Sequence, residues 1–121
     1  MKLSFIHALT TAVTLFVVDA YACPCGRYSS PVSIAEVEVL PDNTNFVQVI
    51  FNATLSTPNG CSNTAYKDRL VFDSTTAQGK TYLTMVMAAY LSGRKVRADG
   101  TGTCPPGIPV EQLRWFDFLS S

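Results

Sequence analysis

The chain has 121 residues, and its nine Lys or Arg residues balance nine Asp or Glu residues, so its formal net charge at pH 7 is zero. This balance argues against nucleic acid as a partner, because that role needs clustered positive charge to neutralise phosphates. The sole histidine, His7, lies at the N-terminus, so the remaining chain excludes His-based catalytic triads and His-containing zinc sites.

Residues 1–22 have the pattern of a secretory signal peptide, with Lys2 followed by an apolar run and then Ala20-Tyr21-Ala22. Cleavage after Ala22 makes Cys23 the first mature residue, and cleavage after Ala20 is the alternative. The apolar run is shorter than the ~20 residues of a membrane span, and Tyr21 disfavours a lipoprotein signal. We therefore expect residues 23–121 to form a single secreted or periplasmic domain with no membrane span after cleavage.

Two strands are predicted after a turn-rich lead-in. Val32 to Leu40 changes its alternation of apolar residues, which indicates a β-bulge. Pro41-Asp42-Asn43 is typical of a turn, and Phe46 to Leu55 alternates apolar and polar residues. The two strands should form a hairpin.

The second half alternates strands with one helix. Arg69 to Asp73 is a short third strand, and a helix is predicted to begin at a Thr75 cap, with Gln78 completing a capping box, and to stop at Gly93. Two further strands are predicted, and glycines in the first of them indicate positive φ or close approach of the backbone. Their ranges are Lys95 to Thr103, with Gly100-x-Gly102, and Leu113 to Leu119.

This order predicts a mainly β fold with one helix (α+β). Five strands with the helix between strands 3 and 4 match a five-stranded OB-fold-like Greek-key barrel. Other α+β arrangements are compatible with the composition.

The helix carries no charge between Lys80 and Arg94. Surface helices normally show a charged outer face, so we expect this one to be covered on both sides. The alternative is a mildly apolar, exposed surface. The face predicted to cover the barrel comprises Leu83, Val86, Met87 and Tyr90; the face predicted to meet other copies includes Met85, Ala88 and Ala89, flanked by Thr81 and Ser92.

Four cysteines suit an exported small domain but allow three connectivities. We favour Cys61–Cys104, which closes the strand–helix–strand block. Cys23 and Cys25 are too close for a relaxed mutual bridge, so they form either a strained local bridge or a bridge between chains. No spacing fits a Cys-only zinc site and no nucleotide-binding pattern occurs, so neither a metal nor a cofactor is expected.

The segment from Val32 to Cys104 resembles the B subunits of subtilase cytotoxin and related pertussis-like toxins. The resemblance lies in a strand preceded by an aromatic-Ser pair, a β-hairpin, and a helix ending in AAYLSGRKVRA. It implies an OB-fold, a homopentamer with central helices, binding of cell-surface sialylated glycans, and a toxic A subunit as partner. The sugar-contacting serine corresponds to Ser29 within Tyr28-Ser29-Ser30. Ser30 replaces a glycine of the family, and CPPGIPVEQ replaces a longer segment.

Three functions compete at this point. The first is a non-enzymatic glycan-binding module. The second is a secreted structural or inhibitory OB-fold protein that binds another protein through Trp115 and Phe116. The third is a histidine-free hydrolase using Glu36 and Glu38, although such alternation more often marks a solvated strand face.

Overall fold

The computed structural model describes residues 31–56, Cys61 and residues 65–119. This part of the chain has a mainly β fold with one helix (α+β). The elements, in order, are β1 (Ile34–Leu40), β2 (Asn43–Phe51), β3 (Arg69–Asp73), α1 (Ala77–Ser92), β4 (Val96–Gly100) and β5 (Leu113–Phe118).

The five described strands form two open antiparallel sheets instead of one closed barrel. One sheet has the order β1-β2-β3, and the other pairs β4 with β5. Two isolated bridges connect the sheets: Val32 pairs with Val96 in antiparallel fashion, and Val71 pairs with Gln112 in parallel fashion. The sheets therefore touch at both edges without continuous ladders.

The hairpin of β1 and β2 confirms two local predictions. The pairing register shifts between Ile34 and Glu36, which is the irregularity that the broken alternation predicts. The strands turn tightly between Leu40 and Asn43. An extra residue in one strand bends the strand and increases its twist.

The core lies between the two sheets and the helix. From β2, it takes Val47, Val49 and Phe51, as the alternation predicts. The strand ends at Phe51, earlier than expected, so Ala53 is exposed. The other sheet and the helix complete the cluster with Val96, Ala98, Leu113, Phe116, Tyr82, Val86 and Ala89.

The helix begins one residue later than its predicted cap. Thr76, not Thr75, is the N-cap, and its side chain accepts a hydrogen bond from the Gly79 amide at 2.9 Å. Thr75 instead donates its amide and hydroxyl to Asp73 Oδ1, at 2.8 and 2.6 Å. These two bonds hold the pKa of Asp73 below its usual range. The predicted capping box of Thr75 and Gln78 is therefore wrong. Thr75 is hydrogen-bonded to the Asp73 carboxylate, and the adjacent Thr76 caps the helix.

The end of the helix is as predicted. Gly93 follows Ser92 and adopts the left-handed conformation, with φ 67°. Its amide and that of Arg94 bond back to carbonyls of the last turn. Glycine adopts this conformation without the steric penalty that a Cβ brings.

The predicted faces of the helix are confirmed in part: Val86 is buried and Leu83 packs against the core as predicted, whereas other positions are exchanged. The buried stripe consists of Gly79, Tyr82, Val86 and Ala89. Ala89, predicted to meet other copies, is 1% exposed in the core, and Met85 packs against that core. Tyr90, predicted to be inside, is 41% exposed. Because the helix has few charged residues, its sequence does not show which side faces the core. The rotation of the helix about its axis is set by packing, which buries the Tyr82 ring.

Candidate ligand-binding cleft

A cleft of about 450 Å³ opens on the side of the β1-β2-β3 sheet that faces away from the main core. The hairpin turn bounds one end and residues 106–110 form one wall. We call it the Tyr66 cleft. Its lining comprises Glu38, Leu40, Pro41, Asp42, Asn43, Gln48, Tyr66, Arg69, Pro106, Gly107, Ile108, Pro109 and Val110.

The apolar wall is a second small core. Val71 from β3 is fully buried beneath Ile108 and Val110, and Leu40, Phe46 and Tyr66 pack around them. Gly107 has φ 76°, which lets the proline-rich segment turn back onto the sheet. The proline-rich segment between β4 and β5 therefore forms a wall of the cleft.

The floor of the cleft is polar. Gln48 lies opposite Glu38 in the β1–β2 ladder, and its Nε2 donates a hydrogen bond to the Glu38 carboxylate. Gln48 is only 4% exposed, although its place in the alternation predicts an outward-facing residue. The loop that covers this face buries it. A buried amide that is hydrogen-bonded is held in one orientation.

The second wall combines an aromatic ring with a guanidinium group. Arg69 Cζ lies 5.0 Å from the ring centroid of Tyr66, a cation–π arrangement. Its Nε is 2.8 Å from Asp68 Oδ1, and the side chains of Arg69 and Asp68 are 20% and 35% exposed. The stack and the ion pair together restrict the guanidinium to one position beside the opening.

A buried carboxylate holds the loop that forms the wall. Glu111 is 0% exposed, and its Oε1 accepts a hydrogen bond from the Gly102 amide at 2.8 Å. A Cβ on Gly100 would lie 2.1 Å from the same oxygen. Gly102 has φ 85°. The prediction of positive φ or close approach at Gly100-x-Gly102 is confirmed at both glycines.

The disulfide predicted between Cys61 and Cys104 is present, with a Cα–Cα distance of 5.8 Å. Cys61 precedes Tyr66 in the chain, and Cys104 begins the segment whose residues 106–110 form one wall of the cleft. The bridge therefore connects the two segments that enclose the cleft.

The remaining candidate residues fall into two groups. Tyr28, Ser29 and Ser30, predicted to contact sugar, and the Cys23–Cys25 pair are outside the described residues. Of the two aromatic residues predicted to bind a protein, Trp115 is 45% exposed. Phe116 is 5% exposed and belongs to the core, so its part in that prediction is wrong.

The two glutamates of the hydrolase hypothesis differ in environment. Glu36 is exposed, whereas Glu38 is half-buried and bonded to Gln48. Only Glu38 lines the cleft.

Comparison with protein-family models, with curated proteins and with solved structures finds no match to this chain. Among residues 31–56, 61 and 65–119, no group of three or more His, Cys, Asp or Glu residues is placed to hold a metal ion. Across the same residues, the one helix is neither long nor apolar enough to span a bilayer.

Proposed function

We propose that the protein is an exported, non-enzymatic binding module that holds a cell-surface glycan in the Tyr66 cleft. The observation that carries this proposal is the combination of aromatic, apolar and hydrogen-bonding groups in one opening. Specific ligand sites pair an apolar surface with a few fixed polar groups. Sialylated glycans are the expected class on the strength of the resemblance to toxin B subunits alone, since Glu38 and Asp42 outnumber Arg69 in the lining and the charge of the cleft does not favour an anion.

The lining suits a sugar better than an apolar ligand. Each sugar hydroxyl both donates and accepts hydrogen bonds, so it needs acceptors and donors side by side. Glu38 supplies an acceptor, Arg69 supplies donors, and Gln48 supplies both. The ring of Tyr66 and the apolar side chains of Ile108 and Val110 offer a surface for the C–H face of a pyranose.

We also propose that the fold is a partly open OB barrel. The two isolated bridges give the cyclic order β1-β2-β3-β5-β4-β1, with the helix between β3 and β4. Five strands in a partly open Greek-key barrel is the defining description of that fold. The cyclic order of the five strands supports the proposal of an OB barrel, and the resemblance to toxin B subunits supports it as well.

Assembly into a homo-oligomer, with five copies as the resemblance implies, is part of the proposal, as is a toxin A subunit as partner. The exposed face of the observed helix shares Ala88 with the predicted face but lacks Met85 and Ala89, which contribute to the core. Thr84, Ala88 and Leu91 are exposed, and Leu91 is 77% exposed. A face of this kind, free of charge, suits contact with a sister helix.

Sedimentation velocity of the purified protein tests the assembly. We expect an oligomer in the wild type and a single chain in Leu91→Glu, because a buried unpaired charge opposes association. Thr44→Glu places the same charge on exposed β2 and should leave the oligomer intact. A wild-type protein that sediments as a single chain at high concentration contradicts the assembly.

A glycan array with the purified protein, followed by calorimetry, tests the cleft. We expect binding to sialylated glycans, and a loss of at least about tenfold in affinity for Tyr66→Ala, which corresponds to about 1.4 kcal/mol. Tyr90→Ala, which removes an exposed tyrosine from the helix, is the matched control and should bind like the wild type. Silence across sialylated and neutral sugars, or equal binding by Tyr66→Ala, rejects the proposal.

A further inference from the structure

The outward surface of the β4–β5 sheet presents the only tryptophan of the chain. Trp115 is 45% exposed, while its neighbour Phe116 is buried in the core on the other side of the sheet. The backbone of Trp115 is paired with Asp99 of β4. The indole is therefore anchored to a rigid sheet and open to solvent.

Two ion pairs flank this ring. Arg97 Nη2 is 3.0 Å from Asp117 Oδ2, and Arg97 Cζ lies 5.9 Å from the Trp115 ring centroid. Arg114 forms an ion pair with Asp99. We call the surface formed by Arg97, Asp99, Arg114, Trp115 and Asp117 the Trp115 face.

These ion pairs contribute little to folding, since solvent screens the attraction between exposed charges. Their positions matter more for recognition. Each pair places a guanidinium donor beside a carboxylate acceptor, and the guanidinium of Arg97 lies 5.9 Å from the centroid of the Trp115 ring. Asp99, Arg114 and Trp115 together line an open depression, so a ligand has access to the ring and to one ion pair at once.

We propose that the Trp115 face is a second carbohydrate site, which binds a neutral hexopyranose unit. The indole stacks on the C–H face of the sugar ring, as aromatic surfaces do with flat apolar partners. Neighbouring hydroxyls donate to Asp99 and accept from Arg114. The face holds two positive and two negative side chains, so its net charge is zero and it favours a neutral ligand over an anionic one.

This site goes beyond the proposed function, because it shares no lining residue with the Tyr66 cleft. The ligand class also differs. A neutral sugar at the Trp115 face and a sialylated sugar in the cleft would let one chain contact two units of a branched glycan, or two glycans.

The experiment uses the sole tryptophan as its own reporter. The purified protein is titrated with lactose, maltotriose and mannotriose while indole fluorescence is recorded, with glycerol as the control polyol. We expect a saturable change with at least one of the three sugars, at a Kd of about 1 mM or tighter, and none with glycerol. Asp99→Asn should weaken the fluorescence-detected binding by about fivefold or more, since it removes the charge of the acceptor.

Calorimetry with the same sugar complements the titration. Trp115→Ala should abolish the heat of binding, whereas Val39→Ala, which shortens another exposed apolar side chain outside both sites, should not. Thermal unfolding monitored by circular dichroism shows that each variant is folded. The variant Tyr66→Ala should retain the fluorescence change, so failure of the cleft proposal and failure of this one are separable.

Three results overturn the proposal. The first is an indole signal that no sugar changes. The second is calorimetric binding that survives in folded Trp115→Ala. The third is an indole signal that changes only when a purified protein partner is added, which would assign the Trp115 face to protein recognition.

Discussion

At the level of single residues, Tyr82 ties the helix to the second sheet. Its hydroxyl donates to the Arg114 carbonyl and accepts from Gln78 Nε2 at 2.8 Å. Its ring meets Phe72 edge to face at 5.8 Å. Burial raises the pKa of Tyr82, while the bond from Gln78 and the positive charge of Arg114 partly oppose that rise.

The variant Tyr82→Phe should lower the free energy of unfolding by about 1–2 kcal/mol, because it leaves the partners of the hydroxyl without their hydrogen bond. Urea unfolding at neutral pH measures this loss. Tyr90→Phe removes an exposed hydroxyl and should change stability little.

The same residue predicts a pH dependence. A folded pKa above the unfolded value of about 10 means that the folded state favours the neutral phenol. The stability due to Tyr82 is therefore complete below that unfolded value and is lost as the pH rises through the folded pKa. Tyr82→Phe should show a smaller alkaline loss of stability, measured by urea unfolding across this range. An identical alkaline limb in both proteins would contradict this role.

At the level of elements, the start of the helix is pressed against the end of β3. A Cβ on Gly79 would lie 1.7 Å from the Asp73 carbonyl oxygen and 2.9 Å from Thr76 Oγ1. Backbone cannot move aside as a flexible side chain can. Gly79 therefore sets how closely the helix approaches the sheet.

Gly79→Ala should destabilise the protein by about 1–3 kcal/mol, as overpacking does, even though alanine favours helices more than glycine does. Thr81→Ala, at an exposed position of the same helix, should stabilise slightly through propensity alone. Thermal and urea unfolding compare the two variants. A stabilised Gly79→Ala would show that the contact with β3 is relaxed in solution.

For the whole molecule, the Cys61–Cys104 bridge closes a sequence separation of 43 residues. Removing a bridge around a loop of this length costs about 3–4 kcal/mol in the chain-entropy model. The bridge also connects both segments that enclose the Tyr66 cleft. Stability and ligand binding should therefore depend on it together.

In the double variant Cys61→Ser, Cys104→Ser, the free energy of unfolding measured in urea should fall by about 3–4 kcal/mol. The affinity for a glycan in the Tyr66 cleft should fall as well. The variant should keep more of the sugar-induced indole signal, because the Trp115 face lies on the β4–β5 sheet, whose two strands pair with each other independently of the bridge. Calorimetry and fluorescence on the variant, at a temperature where it remains folded, make the comparison. Equal loss of both signals would indicate global unfolding and contradict the local role.

Much of the secondary structure follows from local sequence. The range Arg69–Asp73 was predicted as observed, and the bulge in β1 and the stop at Gly93 followed from alternation and glycine chemistry. The cap at Thr76 was missed, because both threonines can cap and only the contact of Thr75 with Asp73 separates them. The cleft was not predictable, since Gln48, Tyr66 and Ile108 are distant in sequence.

The sequence by itself determined the charge balance, the periodicity of the strands and the helix, because these depend on residue chemistry and short spacing, and it left three cysteine connectivities open. The tertiary structure decided which helix face is buried, that Phe116 points inward while Trp115 stays outside, and that Gln48 and Glu111 are covered. Those outcomes depend on contacts between segments far apart in the chain, and their packing energies have no local signature. A polar residue such as Gln48 or Glu111 is buried because a distant segment of the chain covers it, and the residues next to it in sequence do not indicate this.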